Sequence, residues 1–332
     1  MNKFKHFFGI YLRGIAMGAA DVVPGVSGGT IAFISGIYQE LLDTIKGFNL
    51  SVFKTLKNEG IIATWKKLNL SFLVSLALGI FTSIVTLAGL ISGILEEKGE
   101  TFRKVALWSF FFGLIIASIL YVGKQVKNWN VKNIVGLVIG AGLAFYITVA
   151  PISSDSSSLL FLFFAGSIAI SAMILPGISG SFILVLLGAY QPIMGAIKSL
   201  TEGLKSKDYV ALSEPLVIIS VVGAGCIVGL LSFSRVLSWL FKKHETITLA
   251  TLTGFMLGSL NKIWPWKKAI SIRINSHGEE VPVQFGNMLP SEYSTYYNMD
   301  SSLMYALIFA VIGFAVVYLL EHFGEKLQKN ND

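Results

Sequence analysis

The sequence has 332 residues, of which 54% are hydrophobic and only 14% charged, with a mean hydropathy of +0.70. A soluble domain of this length could not bury so much apolar surface, whereas a protein with several membrane spans can leave it in contact with lipid. The net charge of +7 does not indicate nucleic acid, because the lysines and arginines lie mostly between apolar segments. One cysteine and four scattered histidines form no metal-ligand pattern, so we expect neither a metal nor another cofactor.

The N-terminal segment is apolar but interrupted. Apolar sequence from Gly9 stops at Pro24 and resumes only briefly, over 30–38. As helices these two arms would extend about 22 Å and 14 Å, against a hydrocarbon core of about 30 Å. We therefore predict a re-entrant hairpin over 9–46 that dips to the middle of the bilayer and returns. The alternative, a single broken crossing, would place the lysine-rich loop 46–67 on the outer side.

Six continuous apolar segments approach the ~20 residues that a helix needs to cross a bilayer. They are 72–95, 105–122, 134–150, 216–241, 247–263 and 303–320. A second interrupted segment, 159–198, precedes the last three. We therefore predict an all-α integral membrane protein with two units, 1–150 and 151–332, each containing one re-entrant hairpin and about three transmembrane helices. The spacing Gly136-x-x-x-Gly140 is typical of close helix packing, either within the chain or in a homodimer.

The two interrupted segments share a sequence phrase at an offset of 152 residues. Residues 24–28 (PGVSG) are repeated as 176–180 (PGISG). Ten of the 23 positions over 24–46 are identical to their counterparts, where ordinary composition gives about one or two. An odd number of crossings per unit makes the second repeat inverted relative to the first. With both termini in the cytoplasm, fifteen lysines and arginines fall on the inner side and ten on the outer side, in agreement with the positive-inside rule.

Each break combines proline, glycine and serine, and this combination favours an anion site. Proline ends the incoming helix and glycine allows close approach of the backbone. We expect Ser27 and Ser179 to cap the outgoing helices, which restart near Thr30 and Ser181. A helix N-terminus inside the membrane offers unpaired N–H donors and partial positive charge, which suit a phosphate. The alternative is a tight turn that only allows close packing, but two such termini from inverted repeats should meet near the midplane.

Three ionisable residues, Arg13, Asp21 and Arg235, lie within or beside apolar sequence, where charges are costly and often functional. Arginine can hold a phosphate through two parallel hydrogen bonds. Asp21 has Met173 as its counterpart in the second hairpin and is a candidate for proton coupling, with Glu40 at the interface as a second candidate. The structural alternatives are an Arg13–Asp21 ion pair and an Arg235 side chain that extends to the inner surface. The candidate phosphate-binding residues are Arg13, Gly25, Ser27, Gly28, Gly29, Thr30, Gly177, Ser179, Gly180, Ser181 and Arg235.

The longest polar stretch is 264–302, which this topology places on the outer face. Isoleucines at 270, 272 and 274 alternate with polar residues, as do apolar residues at 281, 283 and 285, on either side of a turn at 275–278. This alternation predicts an amphipathic β-hairpin. The hairpin is either a lid or an insertion without a function of its own.

The stretch 13–30 (RGIAMGAADVVPGVSGGT), together with 176–181 (PGISGS), resembles the bacterial polyprenyl-phosphate transporter family. The resemblance covers nearly the whole chain. It implies a flippase, not an enzyme, that returns undecaprenyl phosphate from the outer to the inner leaflet of the cytoplasmic membrane for reuse in cell-wall synthesis. The implied partners are the lipid and the bilayer. A dianionic headgroup needs a polar slot, while the polyprenyl tail can stay in the bilayer beside the hairpins.

Two other functions fit parts of the pattern. The Pro-Gly-x-Ser phrase also resembles the integral-membrane undecaprenyl-pyrophosphate phosphatases, but Gly28 and Gly180 stand where their motif continues with arginine. No histidine lies within an apolar segment to act as a base, and a serine without a base is a weak nucleophile. The second alternative is an ion-coupled transporter or channel for a small anion. It predicts a protein-walled site closed to lipid, whereas a flippase needs a lateral opening.

Overall fold

The computed structural model describes residues 3–22, 27–49, 51–95, 102–150, 158–206, 212–274 and 280–329. These residues form thirteen helices and one two-stranded sheet. The helices are α1 (Lys3–Val22), α2 (Gly28–Ile34), α3 (Tyr38–Gly47), α4 (Ser51–Lys67), α5 (Leu70–Leu95), α6 (Phe102–Gln125), α7 (Val131–Val149), α8 (Leu159–Ile174), α9 (Gly180–Leu187), α10 (Tyr190–Ser206), α11 (Ser213–Ser259), α12 (Pro290–Tyr297) and α13 (Leu303–Lys329). The strands are β1 (Lys267–Ile274) and β2 (Glu280–Asn287).

Several of these helices are long and apolar enough to cross a membrane. Within the described residues α6, α7 and α11 meet both criteria, and five spans result if α4–α5 and α9–α10, bent by 50° and 106°, each count as one. The 47 residues of α11 are too many for one crossing. Its helix is broken at His244, where φ is −138° and ψ is 42°, into segments 213–243 and 245–259. The protein is therefore a helical, multi-pass membrane protein.

Glycines allow the first helix of each hairpin to pack closely against a later helix, α1 against α5 and α8 against the first segment of α11. A Cβ atom on these glycines would meet backbone atoms of the facing helix. The facing pairs are Gly14/Leu76, Gly18/Ile80, Gly225/Phe163 and Gly229/Ser167. In both helix pairs the residue numbers rise together, so the paired helices run parallel.

Two further helix pairs, α6 with α13 and α7 with the second segment of α11, also cross at glycines. The facing pairs are Gly113/Ala310, Gly313/Phe110, Gly136/Ile247, Gly140/Thr251, Gly254/Leu137 and Gly258/Ala141. Small residues let the backbones approach, so that dispersion contacts hold helices that gain nothing from hydrophobic exclusion in lipid. The Gly136-x-x-x-Gly140 face of α7 therefore packs on α11 of the same chain.

The return arm of the first hairpin, α2, lies at the centre of the molecule. All seven of its residues are buried. Phe33 at its C-terminal end packs on the rings of Tyr38 and Phe241, with centroid distances of 5.1 Å and 6.1 Å. The corresponding helix of the second hairpin, α9, is more open, and its second residue, Ser181, is exposed.

Strands β1 and β2 pair antiparallel, from Lys267 opposite Asn287 to Ile274 opposite Glu280. The predicted β-hairpin is therefore confirmed, although its predicted turn, 275–278, lies outside the described residues. Two indole N–H groups fix the segment that carries it, because Trp264 donates to the carbonyl of Met288 at 2.9 Å and Trp266 to that of Ser301 at 2.8 Å. Trp266 and Met288 also belong to an apolar cluster that includes Val105 of α6 and Ala306 of α13. The base of the hairpin therefore packs at the N-terminal ends of these helices.

Candidate functional site at the two helix breaks

The two helix breaks are in direct contact, as the sequence predicted. The amide of Gly177 in the second break donates a hydrogen bond to Thr30 Oγ1 at 3.0 Å, and this bond is buried. Ser27 Oγ of the first break lies 3.1 Å from the carbonyl oxygen of Met173 and 3.3 Å from that of Leu175. Residues almost 150 positions apart thus form one polar centre inside an apolar protein.

These contacts supply hydrogen-bond donors to the carbonyl groups at the C-terminal end of α8. A helix leaves its last carbonyl groups without intrahelical donors, and Pro176 contributes no N–H to them. The hydroxyl groups of the first half supply the donors, Ser27 as described and Tyr38, whose hydroxyl donates to the carbonyl of Ile174 at 2.9 Å. The bond from Tyr38 is buried. The first half therefore completes a helix end that belongs to the second half.

At the first break, the protein's own groups occupy the N-terminal amides of α2. Asp21 Oδ1 accepts a hydrogen bond from the amide of Gly28 at 2.7 Å. Ser27 Oγ accepts one from the amide of Gly29 at 3.1 Å, which confirms Ser27 as the cap. The amide of Thr30 donates to the carbonyl of Ser27 at 2.9 Å. The Asp21 carboxylate thus lies where an anion would be stabilised by the helix dipole.

The second break differs, and the prediction that Ser179 caps α9 is wrong. Its hydroxyl lies 3.0 Å from that of Ser181 and makes no hydrogen bond to an α9 amide. Within the described residues, the amides of Gly180, Ser181 and Phe182 have no hydrogen-bond acceptor. Met173 stands in the repeat position of Asp21, so no carboxylate reaches this helix end. The second break retains free N–H donors beside two hydroxyl groups.

Lys262, one of the ten lysines and arginines that the predicted topology places on the outer side, lies at this second break. Lys262 follows the end of α11, and its Nζ stands over the Phe182 ring, 3.8 Å from the centroid. The Lys262 side chain is partly buried. In the described part of the chain it forms no ion pair. Its nearness to α9 depends on the path of α11, for which the sequence carries no signal.

Arg13 and Glu40 interact with each other electrostatically. Glu40 Oε1 also accepts a hydrogen bond from Asn69 Nδ2 at 2.8 Å, and the Glu40 side chain is exposed. Arg13 is half-buried. The Arg13–Asp21 ion pair that the sequence left open does not form in the described structure, where Asp21 bonds to Gly28 instead.

Arg235 lies at the far end of α3 from the breaks. Its guanidinium donates to the carbonyl of Leu231 at 2.9 Å and to that of Phe48 at 3.3 Å. The ten residues of α3 separate Phe48 from Tyr38 by about 15 Å. The side chain is exposed, so these contacts fit the structural alternative of an arginine at the edge of the apolar region. Of the other candidates, Gly25 lies outside the described residues.

A multi-pass helical protein with two helix breaks meeting in its interior has the architecture typical of membrane transporters. The chain belongs to the VCA0040-like family, described as undecaprenyl phosphate translocase-like, whose model matches residues 17–281. It is 44% identical to a polyprenyl-phosphate transporter of Vibrio cholerae over 98% of this chain and 99% of that protein. It is 29% identical to a polyprenyl-phosphate transporter of Staphylococcus aureus over 80% of this chain and 88% of that protein.

No solved structure matches the chain. The family description and both relatives name transport functions, so the protein is a transporter and not an enzyme. The missing arginines at Gly28 and Gly180 agree with this assignment.

Proposed function

We propose that this protein moves undecaprenyl phosphate from the outer to the inner leaflet of the bacterial cytoplasmic membrane, for reuse in cell-wall synthesis. The names of its relatives support a polyprenyl-phosphate substrate. The observation that carries the proposal is the Thr30–Gly177 hydrogen bond, because it joins the two breaks beside a helix end with free N–H donors. Such a centre suits a phosphate headgroup inside an apolar protein.

The proposed architecture is a pair of inverted repeats, 1–150 and 151–332, with both termini in the cytoplasm. Equivalent glycines at helix crossings support it. Gly14 and Gly166, 152 residues apart, each face a helix that follows their hairpin, at Leu76 and Val222 respectively. Alternating access then results when one repeat rocks against the other around the shared polar centre.

The proposed headgroup site is the start of α9. The amides of Gly180 and Ser181 and the hydroxyls of Ser179 and Ser181 converge there, and each hydrogen bond to a charged phosphate contributes about 1.5–3 kcal/mol. Residues 27–30 and Gly177 form the opposing side, where the N–H donors of α2 are already bonded. The polyprenyl tail stays in the bilayer. In this arrangement Arg13 and Arg235 remain candidates without a contact at the breaks among the described residues, and Gly25 remains a candidate that lies outside those residues.

The proposed coupling residue is Asp21, with Glu40 as a second candidate. Asp21 competes with the headgroup for positive potential at the breaks, because its carboxylate bonds to the N-terminus of α2. A proton on Asp21 removes this negative charge and weakens the bond to Gly28. Proton binding to Asp21 is thereby linked to the hydrogen bond at the N-terminus of α2. Because Thr30 of α2 bonds to Gly177, it is also linked to the second break.

Leaflet-resolved transport in liposomes tests the proposed function. Purified protein is reconstituted with labelled undecaprenyl phosphate, and a phosphatase added outside reports the headgroups exposed in the outer leaflet. We expect protein-dependent movement between leaflets that responds to a pH gradient. Transport no faster than in empty liposomes, or uptake of inorganic phosphate in its place, would overturn the proposal.

A paired substitution tests the site. Ser179→Ala combined with Ser181→Ala removes both hydroxyls at the start of α9 and is expected to weaken apparent lipid affinity by about a hundredfold or more, since two hydrogen bonds to a charged group are lost. Ser171→Ala is the matched control, because that hydroxyl only donates to the carbonyl of Ser167 within α8. Equal lipid affinity in the double variant and the control would exclude this site.

A further inference from the structure

We propose that Lys262 is the counter-charge for the phosphate headgroup at the second break. The inference rests on the proposed function and adds to it a residue outside the predicted phosphate-binding set. Lys262 would give a dianionic ligand the positive charge that neutral hydrogen-bond donors do not provide.

The position of the ammonium group carries the argument. Lys262 Nζ stands 3.8 Å from the centroid of the Phe182 ring, and Phe182 directly follows Ser181 in the first turn of α9. The ring therefore holds the cation against the first turn of α9, in which the proposed amide donors lie. The attraction between a cation and an aromatic ring is about 0.5–2 kcal/mol and leaves the ammonium hydrogens free for a stronger acceptor.

The backbone around Lys262 is fixed, so the side chain is presented from a defined point. The amide of Lys262 donates to the carbonyl of Ser259 at 2.9 Å. The side-chain amide of the neighbouring Asn261 donates to Thr148 Oγ1 at 2.6 Å. Its Oδ1 accepts a hydrogen bond from Asn287 Nδ2 of β2 at 2.8 Å. These bonds tie the turn to the end of α7 and to the β-hairpin.

The charges around Lys262 favour an anion. Its carbonyl accepts a hydrogen bond from Lys267 Nζ at 2.6 Å, so a second cation lies close by. Lys267 Nζ itself stands over the ring of Trp108. Lys262 forms no ion pair with a carboxylate in the described part of the chain. The ammonium group of Lys262 is therefore available to donate hydrogen bonds to a phosphate oxygen.

The location also gives Lys262 a place in the transport cycle. It lies between the end of α11 and β1, on the side of the protein that carries the β-hairpin. In the proposed topology this side faces the outer leaflet, from which the lipid is collected. In this topology Lys262 therefore lies on the side of the protein from which the headgroup enters.

Binding by the full-length protein in nanodiscs tests the inference, with undecaprenyl phosphate and its uncharged alcohol, undecaprenol, as probes. Lys262→Met keeps an unbranched stem over Phe182 but removes the charge. It is expected to weaken phosphate-lipid binding about tenfold, as one charge-assisted hydrogen bond is lost, and to leave alcohol binding unchanged. Lys262→Arg should retain binding. Lys268→Met, at an exposed lysine on β1, is the control for net charge.

The outcomes separate the inference from the function on which it rests. If the wild-type protein binds the phosphate lipid and Lys262→Met binds it equally well, the role of Lys262 is overturned and the transport proposal stands. If the wild-type protein shows no preference for the phosphate lipid over undecaprenol, both are overturned. Thermal unfolding of each variant accompanies the titrations, and Lys262→Gln replaces the methionine variant if the latter unfolds early.

Discussion

Thr30 Oγ1 accepts a hydrogen bond from the amide of Gly177 across 147 residues of sequence. Gly177 has a φ of +83°, a conformation that favours glycine, and a Cβ atom there would lie 3.0 Å from Met256, Phe255 and Ser259. The second break therefore packs closely on α11, with no room for a side chain at position 177. Any rocking of one half against the other must either carry this bond along or break it.

We predict that Thr30→Val destabilises the protein by about 1–3 kcal/mol. Valine has nearly the shape of threonine but no acceptor, so the buried amide of Gly177 loses its partner. Thermal unfolding in detergent measures the change. Thr30→Ser keeps the hydroxyl and should recover most of the stability. If valine and serine prove equally stable, the bond has no energetic role.

We predict that Asp21→Asn folds normally but loses the response of transport to a pH gradient. The asparagine side-chain oxygen can still accept from the amide of Gly28, so the α2 cap persists, while the titrating charge is gone. Transport rates in liposomes across a pH series provide the measurement. A pH response that matches the wild type would remove Asp21 from the coupling mechanism.

The sequence predicted the main elements because their signals are local. Apolar length identified the membrane helices, proline and glycine located both breaks, and alternation of polar and apolar residues identified the β-hairpin. The sequence separates the apolar segments 216–241 and 247–263, and α11 is broken between them, at His244, through one non-helical residue and not through a loop.

The side-chain contacts at the breaks could be predicted from the sequence only in part. Asp21 and Gly28 are seven residues apart, and only the turn between α1 and α2 brings them together. Ser179 does not cap α9, and its hydroxyl lies 3.0 Å from that of Ser181 instead. The Lys262–Phe182 contact joins positions 80 residues apart and follows from tertiary structure alone. Spacing rules describe donors and acceptors within one helical turn, not choices between equally close partners.

We predict that Gly28→Ala destabilises the first break through Asp21. A Cβ atom at position 28 would collide with the Asp21 carboxylate, so the hydrogen bond to the amide must open. The loss of this charge-assisted bond is expected to lower stability by about 1.5–3 kcal/mol. A double-mutant cycle with Asp21→Ala, followed by thermal unfolding, isolates the interaction. Because Asp21→Ala already removes the colliding group, adding Gly28→Ala to it should cost much less. Fully additive losses would contradict a direct contact.

We predict that Gly140→Leu prevents correct assembly whereas Gly142→Leu is tolerated. A Cβ atom at Gly140 would meet the carbonyl of Thr251 in α11, but at Gly142, on the same helix, nothing lies within 4 Å. Leucine at position 140 must push α7 away from α11 and forfeit the close packing on which helix association in lipid depends. Size-exclusion profiles and unfolding temperatures in detergent compare the two variants. Two leucine variants that behave alike would show that α7 does not pack on α11 as described, and a monomeric Gly142→Leu variant of a dimeric wild type would place a subunit interface on the outer face of α7.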